Sequence, residues 1–310
     1  MAVLAWEQID TVMSEECYHT PVMQKEVVEA LSLPVGGCLV DCTLGMGRHS
    51  SLLVRSLGPQ GKIIAIDRDR QSLDVAKANL SEMSSQFTFV HDDFRHIDKI
   101  LDHLGIAAVD GILFDLGISS FQLDNQQRGF SIKSNGPLDM RMDQESWLSA
   151  YDLVNSLSEK EISKILKDYG EERWHGRIAR RLVEARSSRP IETTKELSDI
   201  VLKATPRAAG WQKIHPATRT FQAFRIAVNR ELESLDIALG KCASYLKPGG
   251  RICVISFHSL EDRIVKNTFR SFAQNGDFRL ILKKPLYPAE DEVRENPRAR
   301  SARLRVVEKI

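Results

Sequence analysis

The chain has 310 residues, and its 43 Lys and Arg residues nearly balance its 42 Asp and Glu residues, which gives a formal net charge of +1. This balance excludes a strong overall field for nucleic acid, so any such binding must come from local basic faces. A hydrophobic content of 42% is ordinary for a globular protein, and the length fits one large domain or two modest ones.

No apolar run in the sequence approaches the ~20 residues needed to cross a membrane, and residues 1–16 lack the basic start and long apolar region of a signal peptide. We therefore expect a cytoplasmic protein without a membrane partner. The five cysteines form no Cys-x-x-Cys pair and sit mostly in apolar runs, which favours reduced, buried thiols over a metal site.

In the first half of the chain, short apolar runs alternate with helical patterns. Thr20-Pro21 predicts the start of a first helix. Four strands are then predicted over residues 39–41, 62–67, 87–90 and 111–115. Strands that are apolar along their whole length and alternate with helices are typical of a parallel sheet covered on both faces. The predicted fold class is therefore α/β.

From about residue 132 to residue 215 the pattern is helical only. The spacings Ser158-x-x-Glu161 and Thr193-x-x-Glu196 are capping boxes, and each opens a helix. Such a region, placed between two strands of an α/β sheet, indicates an all-helical insertion.

One helix of this region, predicted over 171–186, carries a basic stripe beside its apolar face. The stripe consists of Arg173, Arg177, Arg180 and Arg181. We predict a helical insertion domain at 132–215 that recognises the substrate, and a discontinuous sheet domain at 1–131 and 216–310.

After residue 216 the apolar spacing predicts one long amphipathic helix, followed by a fifth strand over 252–257. Ser259 has the residue type and position of an N-cap for the next helix. Two closing strands are expected at 278–286 and 304–310.

The segment 39–51 combines the first strand with a glycine turn and the start of a helix. Gly45 and Gly47 let the backbone adopt positive φ and approach a ligand closely. A strand–Gly-x-Gly–helix unit holds a nucleotide in many α/β folds. The loop is a weak signal by itself, so its meaning depends on the residues around it.

Polar groups lie at or just past the carboxyl ends of five of the predicted strands. They are Asp41, Asp67, Asp93, Asp115 and His258. Each aspartate alone has an alternative interpretation as a helix cap or turn residue. Because the carboxyl ends of parallel strands share one edge of a sheet, and ligands bind in the crevice there, the five aligned groups predict a ligand site.

Asp67 lies 20 residues past Gly47, where a carboxylate accepts hydrogen bonds from both ribose hydroxyls of NAD or of S-adenosylmethionine. Two details favour S-adenosylmethionine. The loop has Ser50 where a dinucleotide fingerprint has its third glycine, and Asp41 at the mouth of the loop repels a pyrophosphate but attracts an ammonium and a sulfonium. Phe94 is placed either against the adenine ring or in the core.

Eight motifs between about residue 18 and the C-terminus are distinctive enough to suggest a family. They are HTPV at 19–22, DLGISS at 115–120, QLD at 122–124, RGFS at 128–131, GPLDMRMD at 136–143, HPATRTFQ at 215–222, SFHSLEDR at 256–263 and NPRARS at 296–301. Together they resemble the bacterial small-subunit rRNA cytosine-N4 methyltransferases (the RsmH, formerly MraW, type).

This resemblance implies a class I (Rossmann-like) methyltransferase sheet with an inserted helical domain, and S-adenosylmethionine as the cofactor. It implies methyl transfer to the exocyclic N4 of a cytidine in the decoding region of 16S rRNA, with the small ribosomal subunit as partner. It also implies a set of contacts to the methyl donor. These are Gly47, Arg48, His49, Asp67, Phe94, Asp115 and Gln122.

The chain departs from the family at one point of the glycine loop. Family members commonly have Gly-Gly-His where this chain has Gly47-Arg48-His49. A backbone contact to the donor survives this change, but the Arg48 side chain must then point away from the donor.

Several residues are candidates for the group that receives the target amine. Many amino-methyltransferases place a Pro-Pro-aromatic turn after the fourth strand, whereas this chain has DLGI at 115–118. We hypothesise that Asp115 or the Asp139 segment lies near the amine, and that His258 and Arg141 position the base or a phosphate. The alternative for His258 is a residue at the start of a helix that bonds local backbone.

Arg207, Lys213 and Arg219 join the basic stripe as candidate rRNA contacts, with an ordinary solvated helix face as the alternative. Two other classes of function stay open. One is a non-catalytic rRNA-binding assembly factor that binds the donor without turnover. The other is an NAD-dependent dehydrogenase, which would share the fold and Asp67. A homodimer also stays open.

Overall fold

The computed structural model describes residues 21–206 and 215–310. The central sheet of this part of the chain has seven strands, which are β1 (Cys38–Asp41), β2 (Lys62–Asp67), β3 (Phe87–His91), β4 (Val109–Asp115), β5 (Leu246–Ser256), β6 (Phe278–Leu280) and β7 (Arg303–Lys309). Their order is β3-β2-β1-β4-β5-β7-β6. Strands β1 to β5 run parallel, whereas β7 is antiparallel to both of its neighbours. This sheet confirms the predicted class I α/β fold.

The helices of the described residues lie on both faces of the sheet and in a separate cluster. They are α1 (Gln24–Leu31), α2 (Arg48–Leu57), α3 (Arg70–Asn79), α4 (Ile97–His103), α5 (Ser120–Asp124), α6 (Ala150–Ser156), α7 (Glu159–Gly170), α8 (His175–Arg186), α9 (Thr194–Ala204), α10 (Thr218–Asn229), α11 (Glu231–Cys242), α12 (Ser259–Gln274) and α13 (Glu290–Glu295). None of these helices is long and apolar enough to span a membrane.

Both faces of the sheet are buried, because successive side chains of a strand point to opposite sides. On one face Leu39 and Leu113 pack with apolar side chains of α1, α2 and α3. On the other face Val40, Ile112 and Phe114 pack with side chains of α4, α11 and α12. β1 and β4 are apolar along nearly their whole length because helices cover both of their faces, as the sequence predicts.

The cysteines of the described residues behave as the sequence predicts. Cys42, Cys242 and Cys253 are buried free thiols, and Cys38 is half-buried. Burial raises the pKa of each of these thiols, so they stay protonated and unreactive. Cys17 lies outside the described residues.

A third apolar cluster holds the helical region together. Side chains of α6, α7, α8 and α9 meet in it, and Ser158 and Thr193 cap α7 and α9 through the predicted capping boxes. Phe221 and Phe224 of α10 are buried in the same cluster, although α10 follows the predicted boundary at residue 215. By this packing α10 joins the helical region, while the division of the chain into two domains stays a prediction.

The long helix predicted after residue 216 is in fact two helices. Arg230 has a left-handed backbone with φ of 50° and separates α10 from α11. The side chain of Asn229 donates to the carbonyl of Met140 at 2.7 Å and accepts the N–H of Met142 at 2.8 Å, which ties the end of α10 to a distant segment. The apolar spacing continues across this break, so periodicity alone does not reveal it.

Two other helices begin later than the sequence predicts. α1 begins at Gln24 because Met23, with φ of 54°, has a left-handed conformation at its N-cap; Thr20 lies outside the described residues. α8 begins at His175 instead of residue 171, because Glu171 has φ of 46° and ends α7. Left-handed residues other than glycine carry no clear sequence signal.

The cap of α12 and the closing strand also differ from prediction. His258, not Ser259, is the N-cap of α12, and the strand predicted over 278–286 is reduced to β6. Further along, one isolated bridge pairs Leu286 with Leu304. Serine is the commoner N-cap residue, so the sequence favoured the wrong neighbour.

Arg128 joins the sheet to the segment that leads into the helices. Its side chain is only 1% exposed, and its Nη1 lies 2.8 Å from the carboxylate of Asp69, the N-cap of α3. Its Nη2 donates to the carbonyls of Arg141 and Met142 at 3.0 and 2.8 Å. Removing one partner of a buried ion pair leaves the other charge without compensation, which is strongly destabilising.

We therefore expect Arg128→Met to lower the free energy of unfolding by roughly 3–5 kcal/mol. The matched control is Arg180→Met, because Arg180 is exposed and its pair with Glu184 lies on the surface; an exposed pair contributes about 0–1 kcal/mol. Urea unfolding followed by circular dichroism measures both. Equal losses in the two variants would show that Arg128 is not a structural hub.

Candidate active site

A cleft opens at the carboxyl ends of β1, β2 and β4, and it encloses about 1300 Å³ including its open mouth. Six of the seven predicted donor contacts line it, namely Arg48, His49, Asp67, Phe94, Asp115 and Gln122. The predicted edge of the sheet therefore brings together residues from four separate parts of the chain.

The glycine loop forms the floor of the cleft. Gly45 has φ of 53°, and its N–H donates to Oδ2 of Asp67 at 2.7 Å. Gly47, with φ of 79°, is the N-cap of α2, and a Cβ there would come within 2.6 Å of Leu80. Gly47 thus allows the loop to pack on the end of α3. It is the one predicted donor contact that is not among the described residues lining the cleft.

Asp67, at the end of β2, is held by two backbone N–H groups. Its Oδ1 accepts from Asp69 at 2.8 Å, and its Oδ2 accepts from Gly45. Burial raises the pKa of Asp67 to about 6, against the opposing effect of these hydrogen bonds. Each carboxylate oxygen has a second lone pair, so the ionised group still accepts two hydroxyls.

A chain of buried polar groups connects β1 to β4. Asp41 accepts the hydroxyl of Ser50 at 2.7 Å, and burial raises its pKa. Nε2 of His49 lies 2.9 Å from the carbonyl of Val22, so Nε2 carries a proton. Nδ1 of His49 lies 3.4 Å from Oδ2 of Asp115. Burial opposes the charged imidazole, but Asp115 raises the pKa of His49 above its usual value.

Asp115 keeps one oxygen unused. Its backbone N–H donates to the hydroxyl of Thr43 at 2.6 Å, and Oδ2 faces His49. Oδ1 is buried and has no hydrogen-bond partner among the described residues. A buried acceptor without a donor is unfavourable by about 1–3 kcal/mol. Because Asp115 lines the cleft, a ligand that brings an N–H group would satisfy it.

Phe94 and Gln122 both line the cleft and also serve the fold. The Phe94 ring packs edge-to-face on Phe114, with centroids 5.4 Å apart. The sequence places Phe94 either against the adenine ring or in the core. In the structure it packs against the core and also lines the cleft. The Gln122 amide donates to Asp69 at 2.8 Å and accepts the N–H of Ser119 at 3.0 Å.

The other catalytic candidates lie elsewhere in the described structure. Asp139 and Arg141 pair with each other at 2.7 Å, and Arg141 also donates to the carbonyl of Ser146. His258 caps α12, where its Nδ1 accepts the N–H of Glu261 at 3.4 Å. None of these three candidates is among the described residues that line the cleft. His258 thus takes the alternative position, at the start of a helix.

Two glutamates that are absent from the predicted site, Glu231 and Glu261, also line the cleft. Glu231 forms a two-bond ion pair with Arg225 at 2.9 and 2.8 Å, and Glu261 accepts the N–H of Phe257 at 2.8 Å. Ligand atoms of Glu231, Glu261 and His258 lie within 4.8 Å of one another, close enough to share a metal ion. Arg225 already neutralises Glu231, however, and we assign no metal here.

The parallel sheet, the glycine loop and the acidic edge define a class I methyltransferase. Comparison with known proteins agrees, because the model of the MraW methylase family matches residues 16–310. The chain therefore belongs to the MraW methylase family, and its methyl donor is S-adenosylmethionine. This membership overturns the dehydrogenase alternative.

Named relatives match the chain over nearly its whole length. The ribosomal RNA small subunit methyltransferase H of Clostridioides difficile (strain 630) is 46% identical, with 95% of this chain and 100% of the relative covered. The protein of the same name from Halothermothrix orenii (strain H 168 / OCM 544 / DSM 9562) is 48% identical, with 94% and 98% covered. That of Geobacter sp. (strain M21) is 48% identical, with 96% and 100% covered.

The raised pKa of Asp67 leads to a pH dependence of donor binding. With a pKa of about 6, Asp67 of the donor-free protein holds a proton at low pH. The predicted contact to both ribose hydroxyls requires that this proton leaves. We expect the Kd for S-adenosylmethionine, measured by calorimetry, to rise roughly tenfold as the pH falls from 7 to 5.

The control for this measurement is Asp67→Asn. The variant should bind the donor more weakly at pH 7, with a Kd that varies little between pH 5 and 7. A pH dependence that persists in the variant would assign the titration to His49, which lines the cleft, or to its buried neighbour Asp41, because the pKa of each is raised.

Proposed function

We propose that the protein transfers a methyl group from S-adenosylmethionine to the exocyclic N4 of a cytidine in the decoding region of 16S rRNA, within the small ribosomal subunit. The main support for this proposal is Asp115, which lines the cleft and whose Oδ1 is a buried acceptor without a partner in the described structure. Carboxylates are the side chains that accept from N4 of cytosine. The names of the relatives support rRNA of the small subunit as the substrate.

The site residues fit a positively charged methyl donor. The donor, when bound, supplies a methyl group on a sulfonium. Asp41, Asp67 and Asp115 surround the glycine loop with carboxylates, which favour a cation and disfavour a pyrophosphate. A Cβ built on Gly45 would meet only Ser119 at 3.8 Å, so the space beside the loop is open to a ligand.

Asp115 would act on the amine in two ways. The N4 lone pair is delocalised into the ring, so an acceptor must hold the amine in line with the methyl group. The methylated amine then becomes acidic, and Asp115 takes its proton. Nδ1 of His49 lies 3.4 Å from Oδ2 of Asp115, so a protonated His49 donates to Oδ2 and leaves Oδ1 for the amine.

The test is methylation of small ribosomal subunits that lack the modification, with a labelled methyl donor and mapping of the modified nucleotide. We expect one cytidine of the decoding region to be labelled at N4. Asp115→Asn should reduce the single-turnover rate by roughly 10²–10⁴, because it removes a proton acceptor from the transition state. A label at another atom would contradict the proposal, and donor binding without any label would indicate an assembly factor.

His258→Asn is the matched comparison for Asp115→Asn. Asparagine caps helices as well as any residue, and His258 lies outside the described lining of the cleft. The single-turnover rate of this variant should stay within about twofold of the parent. A loss as large as that of Asp115→Asn would return His258 to the mechanism.

We further propose that the basic stripe of α8 contacts rRNA phosphates. Its four arginines are exposed, but Arg180 and Arg181 both bind Glu184, and Arg173 lies over the Trp174 ring at 5.1 Å. Arg219 donates to the carbonyl of Glu171. Arg207 and Lys213 lie outside the described residues. Because the other described arginines have these contacts, Arg177 is the best position at which to test the stripe.

Arg177→Ala should weaken rRNA binding and reduce the slope of log K against log salt by about one. The control is Arg270→Ala, which removes an exposed arginine from α12 and should leave the slope unchanged. Filter binding over a range of salt concentrations measures both. An equal slope in Arg177→Ala and the parent protein would leave the stripe as an ordinary solvated face.

A further inference from the structure

Arg298 is a cation of the cleft that the mechanism above does not use. It lies in the 3₁₀ turn Pro297–Ser301, between α13 and β7, and it lines the cleft together with Asn296. Its Nη2 donates to Oδ1 of Asp124 at 2.8 Å. Its Nη1 is buried and meets no hydrogen-bond acceptor among the described residues.

The turn holds the Arg298 backbone in a fixed place. The side chain of Asn296 accepts the N–H of Arg298 at 3.3 Å, which caps the turn. The next side chain, Ala299, is fully buried, as is Ala302 at the end of the turn, and both pack in the apolar cluster under β1. Arg298 is thus carried by a packed element, and its position in the cleft does not depend on a free loop.

Another arginine of the cleft, Arg68, also has a buried nitrogen without an acceptor, its Nε, but both of its terminal nitrogens are engaged. Arg68 donates to the carbonyl of Asn229 at 2.8 Å and lies 3.2 Å from the carboxylate of Asp93. A guanidinium has five N–H donors in a rigid fork that matches the oxygens of carboxylates and phosphates. A buried N–H of this fork without an acceptor is therefore a place where an anionic oxygen would be stabilised.

The cleft thus contains both an unused acceptor and an unused donor. Oδ1 of Asp115 requires an N–H group, and Nη1 of Arg298 requires an oxygen. A ligand that fits must carry both, and each of the two expected ligands does. The methyl donor has an ammonium and a carboxylate, while a cytidine of RNA has the N4 amine and flanking phosphates.

We propose that Arg298 forms an oxyanion subsite of the cleft, in which Nη1 binds an anionic oxygen of a bound ligand. The oxygen belongs either to the carboxylate of S-adenosylmethionine or to a phosphate beside the target nucleotide. The second source rests on the function proposed above, whereas the first requires only that the protein binds its methyl donor.

The first measurement is calorimetric binding of S-adenosylmethionine and of its decarboxylated form to the parent protein and to Arg298→Gln. If the carboxylate is the ligand, Arg298→Gln weakens binding of the intact donor roughly tenfold or more and leaves binding of the decarboxylated donor unaffected.

The second measurement is binding of small-subunit rRNA over a range of salt concentrations. If a phosphate is the ligand, Arg298→Gln weakens rRNA binding and lowers the salt slope by about one.

Two control variants separate the subsite from simpler explanations. Asp124→Asn removes the visible ion pair of Arg298 but keeps the guanidinium, and Arg300→Gln removes an exposed charge two residues away. Both should bind donor and rRNA like the parent protein. Arg298→Lys should recover part of the affinity, because it restores the charge without the fork.

The proposal is overturned if Arg298→Gln changes neither affinity by more than twofold. It is also overturned if Asp124→Asn causes the same loss, because Arg298 would then act only by tying α5 to the turn. Failure of the proposed function gives a different result. Small subunits would then receive no label, while the effect of Arg298→Gln on binding of the intact donor would remain measurable without turnover.

Discussion

The site depends on the burial of carboxylates at one edge of the sheet. Asp41, Asp67 and Asp115 end three strands in or beside the centre of the sheet, where burying a carboxylate is costly unless donors satisfy it. Backbone N–H groups of the glycine loop, the Ser50 hydroxyl and His49 supply most of these donors. The loop therefore has two functions, because it brings a ligand close and also makes an acidic cleft stable.

The helical region is attached to this edge by directional polar contacts. Arg128 bonds Asp69 and the carbonyl of Met142, and Asn229 at the end of α10 bonds the N–H of the same Met142. Met142 itself lines the cleft. Since hydrogen bonds fix orientation more closely than apolar contacts do, a substrate held by both parts of the molecule would meet the donor in a defined orientation.

Local patterns predicted most of the fold, whereas several boundaries depended on contacts that no local pattern records. The strands and the capping boxes at Ser158 and Thr193 follow from residues close together in the chain. The break at Arg230 does not, because it depends on Asn229 reaching a segment almost ninety residues away. Arg298 was absent from the predicted site for a similar reason, since the packing of Ala299 and Ala302 in the apolar cluster with β1 holds its turn beside the cleft.

By itself the sequence determined the α/β class, the crevice at the strand ends and the resemblance to a methyltransferase family, because strand-end carboxylates and motifs are visible within short stretches. Only the tertiary structure decided which polar atoms are left for ligands. Oδ1 of Asp115 and Nη1 of Arg298 are unused because no donor or acceptor of the described structure lies within hydrogen-bonding reach of them. That is a property of distances between remote segments, and the order of residues does not contain it.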